Sequence, residues 1–334
     1  RLRVEYLDNP ITVDSWTPRF SWAPVHTGRA ERQTAYRVEV WHSPAVPPGG
    51  PVPPVWASGT VLSNRSVNVP YGGTALQSDA DYRWTVSWAD SQGRMSQPAS
   101  GTFSTAILNV EDWHGATWVS SPMNGSLDTY RAEFAVGDST TASAADQDTN
   151  PVVRARLYVA GLGFSKTYLN GERTDTTELG QFVTFQQRVL YDCHDVTALV
   201  VTGPNALGVM LGNGWFAEPS IAAGPRQFLL MLSVTTANGS TAYYTSGVAR
   251  GEAVGLRRVE ELMFVATVGP STVTTMDAGE QFDGRIAARL AGWNAVGYNP
   301  GRTGATWIPA VSPLVGPANF GSSLSAHTLP TITG

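Results

Sequence analysis

Two segments of this chain alternate apolar and polar residues without a break: Ala35-Tyr-Arg-Val-Glu-Val-Trp41 and Tyr82-Arg-Trp-Thr-Val-Ser-Trp88. A period of two sends successive side chains to opposite faces, so each segment forms a strand with one face buried and one wet. The same short-strand grammar recurs between Gly, Pro, Asn and Ser punctuation along the whole chain. Helix signals are weak everywhere, with a single turn expected over Asp195–Val200. The chain therefore reads as all-β, and its 334 residues suit two domains.

Residues 1–106 read as one sandwich, with strands expected at Leu2–Tyr6, Arg19–Trp22, Ala35–Trp41, Val55–Ser58, Ser66–Val69, Asp81–Trp88 and Gly101–Ser104. The spacing and the Pro44–Pro54 loop suit an immunoglobulin or fibronectin-type sandwich, and the missing Cys pair favours the fibronectin version. Trp16, Trp22, Trp41, Trp84 and Trp88 are expected in its core. After a boundary at Ile107–Asp112, a larger unit spans residues 113–334. Its expected strands are Trp118–Ser120, Tyr130–Val136, Val152–Val159, Lys166–Leu169, Arg188–Tyr191, Leu207–Leu211, Phe228–Thr235, Ala242–Ser246 and Val265–Thr267. The polar stretch Gly137–Pro151 reads as a mobile surface loop. Residues 285–334, with Trp293 and Trp307, read as an irregular wrap over the sandwich.

Bulk properties exclude several classes. A net charge of −5 with no basic tract gives no footing for nucleic acid. The longest apolar runs, Ala206–Leu211 and Phe228–Leu232, are too short to cross a bilayer as a helix. Cys193 is the single cysteine, so the chain holds neither an internal disulfide nor a cysteine-based metal site. The chain begins at Arg1, which is expected of a protein whose leader has been removed or of a fragment. Three sequons, at Asn64, Asn124 and Asn238, permit glycosylation in a secreted or cell-surface protein.

The most informative chemical stretch is Ala206-Leu-Gly-Val-Met-Leu-Gly-Asn-Gly-Trp-Phe216. An apolar run of strand length ends in Gly-Asn-Gly and two adjacent aromatics. An aromatic face beside an amide is what holds a sugar ring: the C–H face stacks and the hydroxyls find fixed polar partners. The competing reading is a buried strand, a tight turn and a core tryptophan. Asn213, Trp215 and Phe216 are the candidate sugar contacts, with Glu218 and Arg226 at the rim. A second cluster is Asp277-Ala-Gly-Glu280-Gln-Phe-Asp283-Gly-Arg285. If it is extended, Asp277 and Asp283 share a face and Glu280 opposes them; otherwise Asp283 or Glu280 pairs with Arg285 in a loop. No G-x-S-x-G elbow accompanies the five scattered histidines, so Ser-His-Asp chemistry has no support.

An ordered set of motifs resembles the N-terminal region of bacterial-type α-L-rhamnosidases. In the first domain these are Leu7-Asp-Asn-Pro10, Pro18-Arg-Phe-Ser-Trp22, Gln33-Thr-Ala-Tyr-Arg-Val38, Val55-Trp-Ala-Ser-Gly59 and Asp81-Tyr-Arg-Trp84. In the second they are Ala160-Gly-Leu-Gly163, Tyr168-Leu-Asn-Gly171, Arg188-Val-Leu-Tyr191, Asp195-Val-Thr197, Asn205-Ala-Leu-Gly-Val209, Leu211-Gly-Asn-Gly-Trp-Phe216, Gly279–Arg285, Gly292-Trp293 and Trp307-Ile-Pro-Ala310. The resemblance implies a fibronectin-like β-sandwich followed by a jelly-roll carbohydrate-binding domain. It also implies a catalytic (α/α)6 barrel outside these residues, so no catalytic residue is assigned here. By the same resemblance the jelly roll can hold calcium in the loop after Asn170-Gly171. Here that loop offers Asp175 and Glu178 around Thr176-Thr177, and its alternative is a solvated hairpin turn. The expected function is a non-catalytic part of a rhamnosidase-like glycoside hydrolase that recognises a rhamnose-containing glycan and works with a separate catalytic domain. The alternative is a structural or adhesion protein that kept the β-domains and self-assembles through β-rich surfaces.

Overall fold

The computed structural model describes residues 1–47, 49–50, 52–123, 125–137, 150–175, 182–217, 224–247, 257–275, 279–312 and 323–327. These form two compact units, Arg1–Asp112 and Trp113–His327. Both are β-sandwiches. The expected loop at Gly137–Pro151 falls almost wholly outside the described residues.

In the first unit, a three-stranded sheet (Leu2–Val4, Arg19–Trp22, Val69–Pro70) faces a four-stranded one. The four-stranded sheet runs Trp56–Ala57, Ala35–His42, Asp81–Ala89, Ala99–Ser104, all neighbours antiparallel. Val38 pairs with Val86 and Val40 with Trp84, so the even-numbered positions of both central strands share the inner face. Phe20 crosses from the smaller sheet to meet Trp84, ring centroids 4.7 Å apart. The indole N–H of Trp22 donates to Gln33 Oε1 at 2.9 Å, which satisfies a buried donor. Trp22, Trp84 and Trp88 are core residues as expected. Trp41 and Trp16 are not. Trp41 stands at an odd position beside Val40, so it faces outward, where Arg83 lies over its ring at 4.2 Å. Trp16 lies in a loop and is 39% exposed.

The second unit packs a seven-stranded sheet on a six-stranded one. The first runs Arg257–Leu262, Thr241–Ser246, Gln227–Thr236, Val152–Leu162, Arg188–Asp195, Ser323–Ala326, with Val119–Ser120 pairing to Gln227–Thr236. The second runs Glu172–Arg173, Phe164–Leu169, Gly203–Gly212, Leu127–Val136, Val265–Val268, Ile308–Pro309. Alternate residues fill the space between: Leu157, Val159, Leu230 and Leu232 from one sheet, Tyr130, Ala132, Leu207 and Val209 from the other. The unbroken apolar run Phe228–Leu232 is buried on both faces of its strand. Trp113 packs edge-on against Tyr158 and Tyr191, all three buried.

The outer face of the six-stranded sheet is covered by residues after 284. Arg131 projects outward from its strand, and its guanidinium Nε donates to Trp293 O at 2.8 Å while its charge lies 5.2 Å from the Tyr298 ring centroid. The Trp293 ring packs against Gly208. A Cβ at that position would sit 2.6 Å from two ring carbons, so only glycine admits the indole. Asn170 and Asn205, both from family-like motifs, interlock: Asn170 Nδ2 donates to Asn205 Oδ1 at 2.8 Å and Ala206 N donates to Asn170 Oδ1 at 2.8 Å. Those motif residues build the fold.

Several short elements depart from expectation. Leu127–Val136 begins three residues earlier than expected, and Arg257–Leu262, Ser271–Thr275, Gly279–Phe282 and Ser323–Ala326 were not expected as strands. A short helix, Gly284–Arg289, is capped by Asp283, whose carboxylate accepts from Arg285 N. Among the described residues, no helix is long and apolar enough to cross a membrane.

Candidate functional site

The strand Gly203–Gly212 delivers the Asn-Gly-Trp-Phe motif to one end of the second sandwich. Its last residues pair with the first of the adjacent strand, Leu211 with Asp128 and Gly212 with Leu127. Gly214 then turns the chain at φ +52°, and a Cβ there would lie 2.5 Å from the Phe164 ring. A 3₁₀ turn over Gly214–Ala217 follows, and it carries Trp215 and Phe216.

Asn213 is held from two sides. Its backbone N–H donates to Thr274 Oγ1 at 2.9 Å, and that hydroxyl donates to Ser126 O at 2.7 Å. Its side-chain Oδ1 accepts from Arg226 Nη1. Arg226 Nη2 also donates to Gly125 O and, at 2.7 Å, to Asp128 Oδ2. With Oδ1 occupied, Asn213 presents its Nδ2 donors from a half-buried position, in an orientation fixed by the guanidinium.

The supporting ion pair is buried: the Asp128 side chain is 3% exposed and that of Arg226 13%. Burial pushes the Asp128 carboxyl above its ordinary range, and the Arg226 charge opposes that shift. Among the described residues, Asp128 Oδ1 and Arg226 Nε meet no hydrogen-bond partner. Burial likewise pushes the neighbouring Tyr130 hydroxyl up.

The two aromatics of the motif separate. Trp215 is half-buried and packs against Phe182, ring centroids 4.7 Å apart. Phe216 is 1% exposed and meets Phe185 edge-on, with no face left for a ligand; it is a packing residue, contrary to the expectation of a sugar contact. Arg226, expected at the rim, is the clamp on Asn213. Glu218 and Asp277 lie outside the described residues.

The acidic cluster does not assemble as an extended face. Glu280 stands on the exposed strand Gly279–Phe282, paired to Ser271–Thr275, and accepts from the buried Ser271 Oγ. Asp283 leaves the strand to cap the helix, and its bidentate pair with Arg285, at 3.0 and 2.7 Å, holds its carboxyl near 2. The loop ion pair is thus realised for Asp283, and the parity that would align it with Asp277 ends at the cap. Asn64 and Asn238 are exposed; Asn238 Oδ1 accepts from Ser240 N at 2.9 Å. Asn124 lies outside the described residues.

At the expected calcium position, Asn170-Gly171 forms the two-residue turn between Phe164–Leu169 and Glu172–Arg173. The Asp175 side chain is buried; the exposed Arg173 brings its Nη2 to Oδ1 at 2.7 Å, and Thr167 N donates to Oδ2. The Arg173 guanidinium thus pairs with the Asp175 carboxylate, and Thr176, Thr177 and Glu178, the rest of the expected calcium loop, lie outside the described residues. One trio of possible metal ligands converges among the described residues, His26, Glu31 and Asp90 in the first unit. There Asp90 accepts from Gln92 N, Arg94 N and Arg94 Nε, and His26 Nδ1 accepts from Gly28 N. His26 and Asp90 are thus each bonded within their own stretch of chain, and Glu31 accepts from Ser91 N at 3.1 Å.

Sequence reasoning missed Phe182 and Asp128. Phe182 sits in the short stretch Gln181-Phe-Val-Thr-Phe185, which carries no sustained periodic signal. Asp128 is a buried charge near the start of the strand Leu127–Val136, and nothing in the sequence signals its burial.

Comparison with known proteins gives a consistent picture. Residues 1–109 match the family described as Rha78A-like, N-terminal immunoglobulin domain, and residues 150–317 match the α-L-rhamnosidase N-terminal domain. An α-L-rhamnosidase of Formosa agariphila is 25% identical over 316 residues, covering 87% of this chain and 31% of its own length. The structure of an α-L-rhamnosidase from Dictyoglumus thermophilum aligns with a TM-score of 0.78 at 28% identity, over 97% of this chain and 34% of that one. A Streptomyces avermitilis α-L-rhamnosidase, complexed with L-rhamnose, shares the fold with a TM-score of 0.73 at 20% identity, over 94% of this chain and 44% of that one. The chain thus spans about a third of the curated relative's length.

Proposed function

We propose, from the premise that this chain belongs to the α-L-rhamnosidase N-terminal domain family, that it is a non-catalytic, carbohydrate-binding portion of a larger glycoside hydrolase. It recognises a rhamnose-bearing glycan at the end of the strand Gly203–Gly212 and presents it to a catalytic portion outside these residues. The observation that carries this reading is the clamped Asn213 carboxamide: a donor fixed by Arg226 and Thr274, two residues from a half-buried tryptophan. A pyranose needs that combination, an apolar surface for its C–H face and a preset partner for a hydroxyl.

The acids support a binding rather than a cleaving role. Glycoside hydrolysis usually takes two carboxyl groups across one bond, one of them protonated near neutral pH. Asp283, held near 2 by Arg285, is ionised under those conditions and cannot donate the proton. The α-L-rhamnosidase relatives favour this reading over that of a structural or adhesion protein. A glycan ligand suits a secreted or cell-surface setting.

Titration of the chain with methyl α-L-rhamnopyranoside, followed by NMR, tests the proposal. Weak binding is expected, on the order of millimolar, because exposed hydroxyls exchange one set of hydrogen bonds for another. Trp215→Ala should weaken it at least tenfold with the circular dichroism unchanged. No binding, or binding indifferent to Trp215, counts against the lectin role. Release of an aryl rhamnoside's leaving group by the purified chain counts against the non-catalytic one.

A further inference from the structure

Three side chains able to ligate a cation meet at one end of the first unit. Pairing of Ala35 with Ala89 sets the loop ahead of Ala35–His42 beside the residue that follows Asp81–Ala89. Thr34 fixes that junction: its N–H donates to Ala89 O at 2.9 Å and its hydroxyl to Asp90 O at 2.7 Å. The loop supplies His26 and Glu31 and the strand end supplies Asp90, with one ligand atom from each lying within 4.8 Å of the others. His26 Nε2 stands 3.7 Å from Asp90 Oδ2. That is too long for a hydrogen bond, whereas ligand atoms around a tetrahedral zinc stand about 3.3–3.6 Å apart. Backbone N–H groups orient both carboxylates through a single oxygen each. Asp90 Oδ1 accepts from Gln92 N and Arg94 N, and Glu31 Oε2 accepts from Ser91 N. The Asp90 side chain is 6% exposed, but that of Arg94, its partner on Oδ2, is 70% exposed, so water screens the pair.

We infer that His26, Glu31 and Asp90 form a binding site for a divalent transition ion, with zinc the member that fits best. An imidazole nitrogen with two carboxylate oxygens is a borderline donor set, which suits zinc better than magnesium or calcium. Three protein ligands leave a coordination position for water. The ion ties the loop 23–34 to the end of the central hairpin, a role separate from the sugar site. Two existing contacts must give way, and both can be followed. Arg94 cedes Asp90 Oδ2 to the ion. Gly28 N donates to His26 Nδ1 at 2.8 Å, which puts the neutral ring's proton on Nε2. An ion on Nε2 moves that proton to Nδ1, so the Gly28 contact breaks. Trp88, edge-on to the imidazole with ring centroids 6.0 Å apart, keeps the ring beside Asp90.

The test is calorimetric titration of the chelator-stripped chain with zinc chloride and, separately, with magnesium chloride, alongside nitrogen NMR of the histidine rings. Zinc should bind at this site and magnesium should not at the same concentrations. The His26 ring should pass from the Nε2–H to the Nδ1–H tautomer, and the Gly28 amide signal should move with it. His26→Asn keeps an acceptor for Gly28 N, and Glu31→Gln keeps one for Ser91 N. Each, with a metal-free melting temperature matching the unmodified chain, should weaken zinc at least about tenfold. Arg94→Gln should tighten it about two- to fivefold, the worth of an exposed ion pair. Absence of zinc binding, or magnesium binding as tightly as zinc, overturns the inference. So does an unchanged His26 tautomer, or zinc affinity that survives both His26→Asn and Glu31→Gln, as it would if the ion sat at His327 and Asp192 instead.

Discussion

Replacing Arg226 by methionine tests the physical basis of the site. The guanidinium serves three acceptors: Asn213 Oδ1, Gly125 O and Asp128 Oδ2. Without it, a carboxylate that is 3% exposed keeps a charge with no counterion. Breaking a buried pair from one side costs about 3–5 kcal/mol. An upper bound on the charge term follows from titration, because the orphaned carboxyl can neutralise itself. At pH 7 that costs about 1.4 kcal/mol for each of the roughly three pH units above the ordinary carboxylate range, so about 4 kcal/mol. At pH 5 the same bound is below about 2 kcal/mol. The sign is fixed by linkage: the folded variant holds a raised carboxyl pKa, so between the unfolded and folded values it binds more protons than the unfolded chain. Its stability therefore falls as pH rises through that window. Urea unfolding of the second unit should show a loss of about 4 kcal/mol at pH 7, a midpoint shift near 2 M for a slope of about 2 kcal/mol/M. The loss should shrink by about half at pH 5. Asp128→Asn combined with Arg226→Met should come within about 2 kcal/mol of the unmodified protein, because the charge is gone and only hydrogen bonds are missing. A loss below about 1 kcal/mol for Arg226→Met, or one that does not change between pH 7 and pH 5, would refute the reasoning.

Two further outcomes are expected. Gly208→Ala drives a methyl group into the Trp293 ring and should cost about 1–3 kcal/mol in thermal unfolding, with Trp293→Leu in the same chain recovering part of it. His327→Gln should destabilise the protein at pH 5.5 but scarcely at pH 8.5, as read by urea unfolding. His327 Nδ1 lies 2.9 Å from Asp192 Oδ1, and that contact raises the His327 pKa. Its contribution is complete below the unfolded histidine value and is lost as pH rises through the folded one.

Alternation along Ala35–His42 and Asp81–Ala89 was enough to place the central hairpin of the first unit, because period two ties face to sequence parity. The same parity, applied to each tryptophan rather than to tryptophan as a class, puts Trp41 outside and Trp84 inside. At Asp283 the local signal was present and outweighed: an Asp followed by Gly-Arg-Ile-Ala-Ala-Arg is an N-cap, and the cap ends the extended chain on which a shared acidic face depended. The Asn-Gly-Trp-Phe motif announced a turn with aromatics, but not that one ring goes into the core and the other stays at the surface. That division depends on Phe182 and Phe185, more than twenty-five residues upstream of both rings. Gly208 reads in sequence as a weak point of a strand. Its reason, the indole of Trp293, lies far along the chain and has no local trace.

The strand Ser323–Ala326 closes one border of the seven-stranded sheet, paired in parallel with Arg188–Asp195. More than a hundred residues intervene, so that border stays open while they are synthesised. During that interval Arg188–Asp195 exposes a row of unpaired amides and carbonyls, the surface on which a second nascent copy would dock. The strand Ser323–Ala326 is therefore a guard against association as well as a source of stability. A chain severed before Ser323 would keep most of its core and lose its solubility first.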